Sequence, residues 1–93
     1  MAKYDDSKVF IGKKKAMDYV IAAMLVLSNK PVRLLARGRS ISRAVDVAEI
    51  LRNKILKGCS YGEILINTET FTNTEGTNTN VSSIEIEIFP PKK

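Results

Sequence analysis

Histidine is absent from the 93 residues. With it go the commonest general base, the usual zinc ligand and every Ser/His or Cys/His catalytic pairing. Cysteine occurs once, at Cys59, so the chain has no internal disulfide. The amino-terminal MAKYDDSK also lacks the apolar core of a secretory signal, and the two features together predict a reducing, intracellular setting. The longest apolar run, Tyr19 to Leu27, has nine residues, against the roughly 18 to 20 that a membrane-spanning helix needs, so no membrane partner is expected. Glycines are too sparse for a dinucleotide fingerprint, and no GxxxxGK[ST] phosphate loop occurs. Only Lys or carboxylate chemistry is left, with no constellation to use it. An enzyme is therefore the least expected class, and no cofactor or metal is expected.

What the chain does contain is an ordinary globular composition, 44% hydrophobic and 27% charged, of a size for one domain over 1–93. Its net charge of +5 is unevenly spread. Residues 1–60 hold 13 Lys and Arg against five Asp and Glu, a net of +8. Residues 61–91 hold five Glu and no cation, and Lys92 and Lys93 close the chain. A basic front of this kind predicts a polyanionic partner.

The hydrophobic pattern predicts a β-α-β-α-β-β order. Val9, Phe10 and Ile11, closed by Gly12, read as a first buried strand. Met17, Val20, Ile21, Met24 and Leu27 recur at helical spacing until Asn29, Lys30 and Pro31. Val32 to Ala36 is a second strand. From a Ser40 N-cap, Ile41, Ala44, Val45, Ala48, Leu51 and Ile55 mark a second helix that Gly58 stops. Tyr61 to Thr72 pairs with the alternating Ser83 to Ile88 segment, which Phe89, Pro90 and Pro91 end, and 73–80 forms the tip of a long hairpin. The predicted fold is a single α/β (α+β) domain, a four-stranded mixed sheet with two helices and an extended hairpin, with residues 1–7 a flexible leader and 90–93 a tail.

A strand-helix-strand crossover makes the first two strands parallel, so the loops that follow them share one sheet edge. Those loops are Gly12-Lys13-Lys14-Lys15 and Arg37-Gly38-Arg39-Ser40, with Arg43 one helical turn further on. Each leads into a helix N-terminus, which favours an anion, and each carries a glycine that lets backbone approach a ligand. Cations at helix N-termini are locally unfavourable, so helix stability gives no reason to place them there. A polyphosphate backbone fits them best. Other residues read as structural: Met17 and Met24 as core, Cys59 as a half-buried structural thiol, and Glu85 and Glu87 as the wet face of an alternating strand. Tyr61, Phe71 and Phe89 do not make the paired stacking platform of an RNA-recognition sheet.

Three segments resemble the Alba family of chromatin proteins. VFIGKKKAMDYV (Val9 to Val20) is similar to its I-G-K-K-P-x-M-N-Y-V opening. ARGRSISRAVDVAEILRN (Ala36 to Asn53) follows its A-R-G-R-A-I-S-K-A-V-D-x-x-E-I-x-R-N segment almost residue for residue, and VSSIEIEI (Val81 to Ile88) its V-S-T-I-E-I strand. The resemblance implies the same β-α-β-α-β-β fold and a dimer, with itself or with a paralogue, that coats and compacts double-stranded DNA without sequence preference and also binds RNA. It implies a cytoplasmic protein associated with the chromosome. Lys13 and Lys14 match the DNA-contacting pair, Lys13 being the position whose acetylation weakens binding in some members, so an acetyltransferase and a deacetylase are implied partners. Arg37 and Arg39 match the basic loop. Ile55, beside Leu56, matches the apolar side chain of dimer–dimer contact, and the hairpins match arms that reach along a minor groove.

The chain departs from the family pattern in three places. Lys15 replaces a common Pro and adds a third cation. The hairpin tip has Glu75 in place of Arg or Lys, leaving Asn73, Asn78 and Asn80 as its minor-groove hydrogen-bonding groups. Ile55 stands where an aromatic is common. RNA as the main target is one alternative to duplex DNA, and an acidic protein docked on the basic edge is another.

Overall fold

A computed structural model describes residues 7–91. Of the flexible leader expected at 1–7 and the tail expected at 90–93, residues 1–6 and 92–93 lie outside the described residues. The elements are β1 (Lys8–Phe10), α1 (Ala16–Leu27), β2 (Val32–Arg37), α2 (Ser40–Ile50), which continues as a π-helical segment over Leu51–Ile55, β3 (Ser60–Thr72) and β4 (Asn78–Phe89). The sheet order is β1-β2-β4-β3, parallel between β1 and β2 and antiparallel elsewhere. This is the mixed four-stranded sheet that the pattern predicts. No helix among the described residues is long and apolar enough to cross a membrane.

Alternation decides what faces the helices. Val32, Leu34 and Ala36 of β2 lie opposite Ile88, Ile86 and Ile84 of β4, and these side chains meet Val20, Ala23 and Leu27 of α1 and Ala44, Val47 and Ala48 of α2. Burying one such Leu or Ile contributes about 1.5–3 kcal/mol. Cys59 is buried in the same core as a free thiol, as a structural cysteine should be, and burial pushes its pKa up.

Four expectations are corrected. Met17 is 48% exposed and Ile21 is also exposed; the buried side of α1 is Tyr19, Val20, Ala23 and Leu27. The cause is that α1 carries a single charged residue, Asp18, so apolar spacing fits more than one face. Ser40 does not cap α2. Arg39 occupies that position in helical conformation, and the Ile41 N–H donates to Gly38 O at 3.1 Å in a turn that Gly38 makes possible at φ +54. The tip spans five residues rather than 73–80, because Asn73 Oδ1 accepts from the Glu75 and Thr77 N–H groups at 2.9 and 3.0 Å and closes the turn early. Asn78 and Asn80 are therefore strand residues. Finally, Glu85 and Glu87 are not simply solvated; both are half-buried against Arg33.

Candidate nucleic-acid interface

Parallel pairing puts the carboxyl ends of β1 and β2 side by side. The Ile11 N–H donates to Leu35 O at 2.8 Å, holding β1 in register until the chain leaves the sheet at Gly12. Lys13, Lys14 and Lys15 follow, all exposed, with no ion pair to any of the three among the described residues. Arg39 stands exposed on the neighbouring loop, where the Gly38 N–H donates to Ser82 O at 2.8 Å.

The remaining basic candidates are held by protein groups. Arg43 is half-buried and donates from Nη1 to Gly12 O at 3.3 Å, tying α2 to the lysine loop. Arg37 pairs through Nε with the Glu69 carboxylate at 3.0 Å and lies 5.7 Å from the Phe71 ring centroid, so its charge is shared with β3. The structure thus brings Lys13, Lys14, Lys15, Arg37, Gly38, Arg39 and Arg43 to one edge, the three lysines without a counter-charge among the described residues.

The hairpin projects from this same edge. Beyond Arg37 with Ser83, the last pair between β2 and β4, β3 and β4 run on for five pairs, from Thr68 with Ser82 to Thr72 with Asn78. At ~3.4 Å per residue that is an arm of roughly 17 Å before the turn. Thr72 Oγ1 donates to Asn78 Oδ1 at 2.7 Å and Thr70 Oγ1 to Asn80 Oδ1 at 2.9 Å. These cross-strand bonds engage the carboxamide oxygens and leave the Nδ2 groups as donors. Ile55 and Leu56 lie at the other end of the molecule and are half-buried against the core, so little of either is presented outward.

The end of the sheet opposite the loops is internally neutralised. Arg33 Nη1 pairs with Glu85, and Nη2 with Glu87 at 3.3 Å and Glu63 at 3.4 Å; the Glu85 hydrogen bond leads in raising the Arg33 pKa. Tyr61 Oη donates to Glu49, which also accepts from Asn53 Nδ2 at 2.9 Å, while Arg52 lies 5.4 Å from the Tyr61 ring centroid. Burial, then the Glu49 bond, pushes the Tyr61 phenol up to about 12, and the Tyr61 bond holds Glu49 below its ordinary value.

One residue of the basic edge escaped the sequence reading. Tyr19 Oη accepts from the backbone N–H groups of Gly12 at 2.9 Å and Lys14 at 3.0 Å. The available signal was a hydroxyl on an otherwise apolar helix face, since a buried tyrosine seeks a polar partner.

A family model for Alba matches residues 7–73. The chain is 49% identical over 84 residues to the DNA/RNA-binding protein Alba of Methanothrix thermoacetophila, covering 88% of this chain and 93% of that one. It is 43% identical over 86 residues to the protein of the same name from Thermoplasma volcanium, covering 90% and 96%. Among solved structures, Alba from Thermoplasma volcanium superposes with a TM-score of 0.80 at 44% identity, over 88% of this chain and 98% of that one. ALBA1 from Trypanosoma brucei superposes with a TM-score of 0.77 at 22% identity, over 97% and 74%, a likeness of fold alone.

Proposed function

The chain belongs to the Alba family, and on that premise we propose that it binds nucleic acid without sequence preference, gripping the phosphate backbone of double-stranded DNA through the edge at 12–15 and 37–43. The observation that carries this reading is the Lys13–Lys15 loop, exposed cations with no ion pair among the described residues, on the edge from which the hairpin arm extends. Cations so placed have an anion as their natural partner, and each phosphate they neutralise releases condensed counterions. In this reading the protein coats and compacts chromosomal DNA, and acetylation of the exposed Lys13 removes one contact and weakens binding.

Two copies are proposed to act together. Support comes from an apolar strip that the helices leave uncovered on β3: Ile64 is exposed, and Ile66 is 77% exposed beside Ile41 of α2. Apolar exposure of this kind marks interaction surfaces. A dimer would present the basic edge twice.

The test is a titration of matched DNA and RNA duplexes across salt, with Lys13→Ala and Arg39→Ala beside the wild type. If about six phosphates are engaged per dimer, affinity falls roughly a thousandfold between about 50 and 200 mM salt. Each substitution weakens binding to all sequences alike and lowers the salt slope by about one. A flat salt response, or a loss confined to particular sequences, overturns the proposal. RNA is the second reading, since the relatives are named DNA/RNA-binding proteins; tighter binding to the RNA duplex at equal salt selects it.

A further inference from the structure

The lysine loop is tied from below by a side chain of α1. Tyr19 is only 9% exposed and projects from α1 beneath the loop. Its hydroxyl oxygen accepts both the Gly12 and the Lys14 backbone N–H, and Arg43 holds the Gly12 carbonyl from the α2 side. The loop backbone is thereby pinned at three atoms within three residues. A Cβ at position 12 would stand 3.2 Å from Tyr19 Oη, so the hydroxyl would have to give by a few tenths of an ångström.

This arrangement corrects one expectation about the loop. Its glycine does not serve to bring backbone N–H groups to a ligand, since two of those donors already face Tyr19. At those two positions the loop offers a ligand its lysines as point charges rather than its backbone donors.

We infer that Tyr19 is a positioning residue for nucleic-acid binding, its buried hydroxyl holding the 12–15 loop in the conformation that presents Lys13, Lys14 and Lys15 to the phosphate backbone. This rests on the function proposed above. Without the hydroxyl the lysines and their charges remain, but the loop must be ordered when the complex forms, and that ordering opposes binding. The number of phosphates neutralised does not change. The signature of Tyr19 is therefore a loss of affinity of the same factor at every salt concentration, whereas losing a lysine changes the slope itself.

The experiment compares Tyr19→Phe, Gly12→Ala and Lys13→Ala with the wild type, each titrated with one DNA duplex at several salts, alongside thermal melts and amide hydrogen exchange of Gly12 and Lys14. Tyr19→Phe keeps the ring in the core and removes the acceptor. Gly12→Ala leaves the tyrosine intact and crowds its hydroxyl, so the two variants reach the same contact independently should either fail to fold. Both are expected to weaken binding about three- to tenfold at all salts with the slope unchanged, and Tyr19→Phe to speed exchange at Gly12 and Lys14 beyond any general rise. Unchanged affinity in a folded Tyr19→Phe with a lower melting temperature makes Tyr19 a core residue only and overturns the inference. A slope lowered as in Lys13→Ala overturns it too. If the wild type binds no duplex at any salt, the function proposal fails, and the exchange rates still report separately whether the hydroxyl holds the loop.

Discussion

Arg33 and Arg37 leave the same face of β2 four residues apart and enter opposite surroundings. The Arg33 side chain is 28% exposed and faces three carboxylates, from Glu63, Glu85 and Glu87. The Arg37 side chain is 63% exposed and faces one, from Glu69. One arginine is consumed by the fold and the other stands at the edge with most of its surface in water. A tally of basic residues weighs them equally, and the sheet does not. The comparison also changes the meaning of the five glutamates in residues 61–91. Three of them cluster on Arg33 at the end remote from the lysine loop, leaving Glu69 and Glu75 on the projecting part of the hairpin. The arm carries two carboxylates rather than five, one of them paired with Arg37, so it opposes a phosphate backbone less than the regional sum suggests.

The largest effects should separate the two arginines. Arg33→Ala leaves three carboxylates converging without a counter-charge, two of them half-buried, and should lower the melting temperature by several degrees. Duplex affinity of the folded variant should stay within about twofold, because Arg33 sits away from the contact edge. Arg37→Ala should do the reverse, with the melting temperature nearly unchanged, since an exposed pair contributes little, and with duplex binding about three- to tenfold weaker at a salt slope lower by about one. Thermal melts and salt-dependent titrations of both variants give the answer. Equal losses of stability, or equal losses of affinity, would erase the distinction.

A smaller effect probes whether the single carboxylate on Arg37 restrains it. Glu69→Gln should tighten duplex binding about two- to threefold, because it frees a guanidinium that otherwise divides its charge. Removing any negative charge near a polyanion helps to some degree, so the informative measurement repeats Glu69→Gln in an Arg37→Ala background. Loss of the gain there assigns it to the pair; an undiminished gain assigns it to the general field and leaves Arg37 unrestrained.

Much of this architecture was legible in the sequence, and the parts that were not share a cause. Strand and helix order, the parallel β1–β2 pair and the convergence of the Lys13–Lys15 and Arg37–Arg39 loops all follow from local spacing and one chirality rule. The buried face of α1 did not, because a helix apolar on most sides gives spacing no purchase. The roles of Arg33, Arg37 and Tyr19 depend on partners 30 or more residues away or on a hydroxyl turned back toward a loop. The closing bond of Asn73 is local, yet an eight-residue polar run conceals which residue makes it. Periodicity reports which way a side chain faces, and charge pairing across strands becomes visible only once the register is set.

The smallest expected effect lies in pH, at the end of the molecule that Arg33 occupies. Tyr61, Glu49, Asn53 and Arg52 form a network of hydrogen bonds and a cation–ring contact at the end of the sheet opposite the basic edge. In the unfolded chain the Tyr61 phenol titrates near 10, whereas in the fold, burial and then its bond to Glu49 raise it to about 12. Between those values the folded form keeps a proton that the unfolded form has lost, so this group's contribution is complete below about pH 10 and disappears by about pH 12. Glu49 runs the other way: its pKa is lowered, chiefly by the Tyr61 bond, so its contribution is present above the ordinary 4.5 and is lost as pH falls through the folded value. Tyr61→Phe removes the donor and the titrating group together. Denaturant melts taken stepwise in pH should show the variant with a shallower decline on the alkaline limb and a smaller acid-side loss, while duplex affinity at neutral pH stays unchanged. Parallel pH profiles for the variant and the wild type would mean that the bond does not couple the two groups. A change in affinity would mean that the two ends of the sheet are not separate, and would return the internally paired charges to the account of binding.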